Sequence, residues 1–410
     1  MAIDLRFLRE GELPRFREVL STAFGGGDPE PEYDIMWEKA FEDDRLIVAT
    51  ENDEIVGVAG SFSFTMTVPG AEVPAAGLTV VGVLPTHRRK GILKEMMRFQ
   101  LDDARDHEEP VSILWASEEI IYQRFGYGMA SEHLSIEIER GHGIFKNDPG
   151  PAGRLRLVTE DEALKILPDV YERARRETPG MLVRNAAWWK YHRLYDPKSS
   201  REGASRLYRL VWENEGDAAA YALYRVKEDW DNATGLPKGK VIVLEAMSTS
   251  ADAHREMWRY LFSLDLSGKV TGYFLATDDP IQQMVLKPRH LKVRKHDALW
   301  LRIVDVEPAL ERRTYGADGS LTFQLTDGFI GRNEGVWTLA VTDGHGEVSR
   351  ATGVAELTMD AGDLGAAYLG GTTFNQLLRA GRVVEHSPGA IARADAMFRS
   401  NRAPWHPEIF

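Results

Sequence analysis

The chain is predicted to fold as a mixed α+β protein of three domains. Two are copies of one strand–helix plan, and the third is a small sheet with terminal helices. Three observations carry this reading. Residues 78–93 (LTVVGVLPTHRRKGIL) join a β-branched strand to a basic, glycine-containing turn at a helix start. Two further segments recur in the same order roughly 150 residues apart, as a duplicated domain requires. From about residue 300 the texture changes to short apolar runs separated by Asp-Gly turns. A length of 410 residues suits two or three domains, each with its own core.

In chain order, residues 5–19 (LRFLREGELPRFREV) read as a short strand and an amphipathic helix, and residues 155–170 (LRLVTEDEALKILPDV) repeat them. Residues 46–58 (LIVATENDEIVGV) read as strand, polar turn and returning strand, echoed by residues 208–220 (YRLVWENEGDAAA). Thr79, Val80, Val81 and Val83 are strand formers, and Leu93, Met96, Met97, Leu101 and Ala104 recur at helical spacing. The turn Arg88-Arg89-Lys90-Gly91 therefore falls where free N–H groups and the helix dipole meet an anion. Gly91 lets the backbone approach closely, and three cations suit a pyrophosphate.

In the second copy, residues 241–258 (VIVLEAMSTSADAHREMW) keep strand and helix but lose that turn. Glu245 and Asp252 bring negative charge that repels a pyrophosphate, so the first copy holds the working anion site and the second serves as scaffold and subunit contact surface. Farther on, residues 301–306, 321–325 and 336–341 read as strands, and 363–369, 373–380 and 388–399 as helices. The domain boundaries are drawn at 1–150, 151–298 and 299–410.

Bulk properties exclude several classes. A formal charge of -13 argues against a general nucleic-acid binder and favours cationic small molecules as partners. With Cys 0, disulfides, thiolate metal sites and an acyl-cysteine intermediate are all excluded. The 11 His show no ligand pairing with acidic neighbours, so no metal is expected. Charge interrupts every apolar run of the N-terminus, and no segment approaches about 18 consecutive apolar residues. A cytoplasmic protein without a membrane segment is expected.

Arg88-x-x-Gly91 after such a strand resembles the acyl-coenzyme A signature of the GCN5-related N-acetyltransferases. Residues 115–127 (WASEEIIYQRFGY) resemble the next strand and helix of that superfamily. Together with residues 85–93 (PTHRRKGIL), residues 121–128 (IYQRFGYG) and a chain ending in Phe410, the sequence resembles the enhanced-intracellular-survival (Eis) family of these enzymes. Leu93 departs from the superfamily pattern, which has a small residue there, whereas the Eis family has Leu. The resemblance implies tandem acetyltransferase domains, the second degenerate, followed by a sterol-carrier-protein-like α+β domain. It also implies acetyl-CoA as co-substrate and direct transfer to primary amines of polycationic small molecules, aminoglycosides above all, at several positions. A homo-oligomer, a hexamer, is implied by the same resemblance. Protein lysine acetylation is an alternative, as is a lipid or hydrophobe carrier centred on residues 300–410 with a vestigial first site.

Candidate roles follow. A phenol is protonated at neutral pH and can donate to a departing thiolate; the resemblance makes Tyr122 this general acid, with Tyr127 the competitor from sequence alone. The resemblance also implies that Val81, Gly82 and Val83 pair with the pantetheine amides, that Arg88, Arg89, Lys90, Gly91, Ile92, Leu93 and Lys94 receive the pyrophosphate, and that Ser117 and Glu118 line the other side. Residues 403–410 (APWHPEIF) are apolar and proline-stiffened for a terminus, which predicts a docked end. By resemblance the α-carboxylate of Phe410 is the base; His406 and Glu408 are local rivals, His406 having the better intrinsic pKa. In the acidic, Gly25-Gly-Gly-containing loop, Asp28 with Trp37 and Phe24 is the candidate cation-accepting wall, while Glu30, Glu32 and Asp34 read as solvated charge.

Overall fold

The computed structural model describes residues 3–27 and 45–410. Its first sheet starts with β1 (Asp4–Phe7), β2 (Leu46–Glu51), β3 (Glu54–Val68) and β4 (Ala71–Val83), each antiparallel to the one before. Helix α1 (Leu13–Phe24) follows β1, and α2 (Ile92–Asp106) carries the chain from β4 to a parallel β5 (Val111–Trp115). The predicted spacing holds: α2 buries Ile92, Met96, Met97, Leu101 and Ala104, the apolar stripe that pins an amphipathic helix to a sheet. At its far end the buried Arg45 guanidinium ties Asp103 and Glu109, each at 2.7 Å. Then come α3 (Glu119–Gln123) and the short β6 (Gly128–Met129).

The next strand, β7 (Glu132–Glu139), belongs to a second sheet with β8 (Arg154–Leu157), β9 (Tyr208–Asn214), β10 (Asp217–Lys227), β11 (Lys240–Ser248), β12 (Lys269–Leu275) and β13 (Arg294–Asp297). Helices α4 (Glu160–Arg175) and α5 (Ala251–Ser263) occupy the places of α1 and α2. After β13 the chain returns to the first sheet as β14 (Leu299–Ile303), inserted between β5 and β6. The two sheets run β1-β2-β3-β4-β5-β14-β6 and β8-β9-β10-β11-β12-β7-β13, one plan used twice with the sixth strand exchanged.

By contact the chain divides into one unit of Met1–Ser131, Ala298–Asn401 and Ile409–Phe410, and another of Glu132–Asp297 and Arg402–Glu408. Sheet membership thus changes at Ser131/Glu132 and Asp297/Ala298, where the sequence reading drew its lines at 150/151 and 298/299. Residues 301–303, read there as the first strand of the third domain, belong to the first sheet. Alternation in these strands fixes which face is apolar, not which sheet supplies the neighbour.

Within the first unit, α6 (Val306–Glu311) leads to β15 (Gly319–Thr326), β16 (Gly335–Thr342), β17 (His345–Arg350) and β18 (Leu357–Asp360), then α7 (Ala361–Ala367), α8 (Phe374–Arg379), β19 (Val384–Glu385) and α9 (Ala390–Phe398). The strands form a sheet ordered β17-β16-β15-β18-β19. Capping boxes at Asp360/Asp363 and Thr373/Gln376 start α7 and α8, satisfying N–H groups that a helix leaves open. Among the described residues no helix is long and apolar enough to cross a membrane.

Burial holds His133, His192 and His406, all in the second unit, down at about 4. An unfolded histidine titrates near about 6.5, so between these values the unfolded chain binds more protons than the folded one. Stability from these groups is therefore full above about pH 6.5 and is lost as pH falls toward 4. Scanning calorimetry is expected to show the second unit's melting temperature dropping by several degrees from pH 7 to pH 5; an unchanged temperature would mean these imidazoles titrate normally.

Candidate active site

β4 and β5 pair only where Ala75, Ala76 and Gly77 face Val111, Ser112 and Ile113. Beyond Gly77 the two strands part, and Leu114 and Trp115 continue against β14. Residues 78–83 thus keep β3 on one side and have no β5 partner on the other, an edge of backbone groups in need of hydrogen bonds. A bulge re-aims this edge: Val58 faces Gly82 and Gly60 faces Thr79, so Ala59 stands opposite two residues. Val80 there has φ 51, a left-handed conformation that strains a β-branched residue. Sequence reasoning missed this bulge, because Val80 reads as an ordinary strand former.

The basic turn closes the open end of the edge. Arg89 (φ 63) and Gly91 (φ 86) are both left-handed, and Gly91 caps α2 without any side-chain hydrogen bond. Among the described residues no side chain caps the first N–H groups of this 15-residue helix, the groups a helix start offers to an anion. The cations of the turn differ in use. The Arg88 guanidinium donates to Val83 O (3.2 Å) and Ala23 O (2.6 Å), tying the turn to β4 and α1. Lys90 Nζ lies 3.9 Å from Glu51, whose carboxylate also meets His87 Nε2 at 3.1 Å.

A cleft of about 1030 Å³ brings together Val81, Gly82 and Val83, the turn residues Arg88, Arg89 and Gly91, helix residues Ile92, Leu93 and Lys94, and Ser117, Glu118, Tyr122 and Phe24. Lys90 and Phe410 are not among its lining residues. Asp28 and Trp37 lie outside the described residues. Two lining residues that the sequence reading did not single out, Gly328 and Phe329, come from the turn after β15; only the turn signal at Thr326-Asp-Gly was legible.

The two tyrosines separate clearly. Tyr122 on α3 lines the cleft, and burial pushes its phenol up to about 12. Among the described residues nothing hydrogen-bonds to its hydroxyl. Tyr127 is wholly buried and its hydroxyl meets Ser112 Oγ at 2.7 Å, with its ring edge-on to Tyr122 at 6.0 Å. A protonated, unpaired phenol in a cleft can give a proton to a leaving group.

The ring of Phe410 stands edge-on to Phe64 (5.0 Å) and Phe62 (6.4 Å). Gly77 allows this packing, since a Cβ would run into the Phe64 ring and press on Phe410. The Phe410 ring therefore packs where β4 and β5 begin to part. The rivals for the base belong to the second unit. His406 is completely buried, its Nδ1 against Gly180 O at 2.9 Å. Glu408 is buried, paired with Arg184 at 2.7 Å, and accepts from Trp188 Nε1 at 3.0 Å; chiefly Arg184 offsets its burial and holds the carboxyl at about 2.

In the second unit β11 and β12 also part, after Val243 and Gly272. The expectation that Glu245 repels anions there is corrected: this carboxylate is buried between Arg184 (2.7 Å) and Arg193 (3.0 Å), with Tyr221 donating to it at 2.5 Å. Asp252 is exposed and paired with Arg255. Besides the lost basic turn, capping separates the two helix starts. Ser250 Oγ accepts from Ala253 N at 3.3 Å and closes α5, where α2 stays open.

Parallel strands that part beside a bulged strand, with an open basic helix start at their mouth, define the class of the GCN5-related acetyltransferases. The comparisons agree: descriptions of an acetyltransferase (GNAT) domain match residues 4–130 and 180–303, and a sterol carrier protein domain matches residues 306–407. An uncharacterized N-acetyltransferase of Streptomyces avermitilis is 40% identical over 413 residues, 100% of both chains. N-acetyltransferase Eis of Mycobacterium tuberculosis is 32% identical over 385 residues, 90% of each. The crystal structure of Eis1 from Mycobacterium abscessus superimposes with TM-score 0.85 at 32% identity, over 99% of this chain and 100% of that one.

The chain belongs to the Eis family of GCN5-related N-acetyltransferases. It is an acetyl-CoA-dependent acyltransferase that acetylates amines, built from two acetyltransferase domains and a sterol-carrier-like domain.

Proposed function

We propose that this enzyme transfers acetyl groups directly from acetyl-CoA to primary amines of polycationic small molecules, aminoglycosides first among them, at more than one position of each. The observation that carries the site is that one cleft combines an uncapped helix start, an unpaired strand edge and the free hydroxyl of Tyr122. The amine nitrogen attacks the thioester carbonyl, the carbon–sulfur bond breaks, and Tyr122 gives its proton to the departing sulfur. Backbone groups of Val81 and Val83 pair with the pantetheine amides, and an N–H there holds the carbonyl oxygen as charge develops on it. The α2 start with Arg89 and Lys94 takes the pyrophosphate, while Ser117 and Glu118 flank the coenzyme. The Phe410 α-carboxylate removes the ammonium proton. Recognition of the cationic amine is assigned to Phe24, Asp28 and Trp37 from their residue types, and the charge of -13 favours encounter with polycations.

The test is thiol release from acetyl-CoA against a panel of aminoglycosides, polyamines and lysine peptides, with product masses counting the acetyl groups. The chain has Cys 0 and adds no thiol background. Aminoglycosides are expected to turn over fastest and to gain more than one acetyl; faster turnover of lysine peptides would move the reading to protein acetylation.

Tyr122→Phe is expected to lower kcat by about a hundredfold, the scale of a lost general acid, with the acetyl-CoA Kd from titration calorimetry within about twofold of wild type. Near-wild-type turnover would assign the proton to another donor. Appending a Gly-Ser pair after Phe410 displaces the terminal carboxylate; kcat is expected to fall at least about tenfold with an unchanged melting temperature. Full activity in that variant would sink the terminal base.

A further inference from the structure

Arg302 lies in β14, inserted between β5 and β6, and is completely buried. A guanidinium cannot shed its charge, so in such a place it requires an anion and good acceptors. It has both. Nη2 donates to Asp327 Oδ2 at 2.6 Å, and Nη1 to the carbonyl of Phe125 at 2.6 Å. Asp327 sits in the turn after β15, inside the sterol-carrier-like domain, and its other oxygen accepts from the backbone of Phe329 (3.3 Å) and Ile330 (3.2 Å). The carboxylate is therefore held from both sides.

The Phe125 carbonyl ends the turn that hangs from Tyr122. Phe125 N and Tyr127 N both donate to Tyr122 O, at 3.0 and 3.3 Å, and Gly126 N donates to Gln123 O at 3.0 Å. Gly126 has φ 80, and the space its Cβ would need is filled by the Arg302 guanidinium. Phe329 adds a wall, its ring 4.9 Å from that of Phe125, while it also lines the cleft with Tyr122. The segment after Tyr122 cannot shift without breaking a buried charge-assisted hydrogen bond or striking the guanidinium.

We propose that Asp327, acting through Arg302, positions the Tyr122 turn, so that the sterol-carrier-like domain supplies part of the acetyltransferase geometry. This rests on Tyr122 being the proton donor. Asp327 and Arg302 touch no substrate; they are positioning residues whose effect passes through one hydroxyl, and a displacement of about 1 Å there is enough to slow the chemical step by about a hundredfold.

The experiment is a double-mutant cycle read as kcat at saturating acetyl-CoA and amine, well below the melting temperature. Asp327→Asn is expected to lower kcat about tenfold with the acetyl-CoA Kd within about twofold of wild type, and Asp327→Glu to recover part of the loss. In a Tyr122→Phe background, Asp327→Asn is expected to cause no further loss beyond about twofold, because the group it positions is gone. The same tenfold loss in that background would make the damage general and overturn the proposal, as would an undiminished kcat for Asp327→Asn alone. Wild-type rates for Tyr122→Phe would instead remove the acid reading and this proposal with it. Should the Asn variant melt below the assay temperature, Asp327→Glu carries the same cycle with the charge retained.

Discussion

The parting of β4 from β5 after Gly77 is the constraint on which the first unit depends. A strand buried in a sheet must satisfy its N–H and C=O groups on both edges, yet, among the described residues, residues 78–83 have a strand neighbour only in β3. An extended amide chain completes such an edge with the hydrogen bonds of a missing strand. The surrounding features follow from keeping the gap open. Gly77 withholds a Cβ at its apex so that Phe64 and Phe410 fit, Val80 takes up left-handed strain to turn the edge, and α2 begins without a cap at its mouth.

The second unit meets the same constraint differently. Past the point where β11 and β12 part, the Trp405 side chain meets β12, its Nε1 donating to Phe274 O at 2.7 Å, while Trp405 N donates to Pro179 O at 2.8 Å in the segment after α4. Glu408 follows, held by Arg184, whose guanidinium lies 3.9 Å from the centre of the Tyr171 ring. Removing one partner from a buried ion pair leaves an uncompensated charge and costs about 3–5 kcal/mol, so this stretch of tail is firmly fixed. With its helix start capped by Ser250, the second copy keeps the strand–helix plan of the first without the open helix start.

What was legible in the sequence is what neighbouring residues encode. The strand at 78–83, the apolar stripe of α2 and the glycine at the turn all rest on local spacing, and the structure shows each of them. The duplicated order of strands and helices was also legible, since each copy repeats its own periodicity. The exchange of β7 and β14 was not, because alternation sets a strand's faces without naming its neighbour. Glu245 misled because a carboxylate in sequence carries no sign of its partners, and Arg184 lies 61 residues away. The bulge at Val80 ran against local preference, and such a disagreement between propensity and structure is where a functional constraint is to be expected. The rest of the site came from family resemblance: no spacing rule distinguishes Tyr122 from Tyr127, whereas the hydrogen bond of Tyr127 to Ser112 does so at once.

The small residues of α7 show why the third domain is not a separable attachment. A Cβ on Gly362 would crowd the Tyr127 carbonyl, one on Gly365 would strike Leu301 O, and one on Gly128 would strike Gly362 O. Three glycines at three close approaches bring the α7 backbone directly onto β6 and β14, with no side chain between. Contacts of this kind allow few adjustments, because interiors are packed like crystals and side chains that might absorb a shift are absent. The same helix start carries the Asp360/Asp363 capping box, and Arg382 closes on Asp363 at 2.6 Å. Without this domain Arg302 would lose Asp327 and keep a buried charge, and β6 and β14 would lose the surface they are shaped to meet. The acetyltransferase sheet is therefore completed twice from later in the chain, first by β14 and then by the helix and turn that hold β14 and the Tyr122 segment in place.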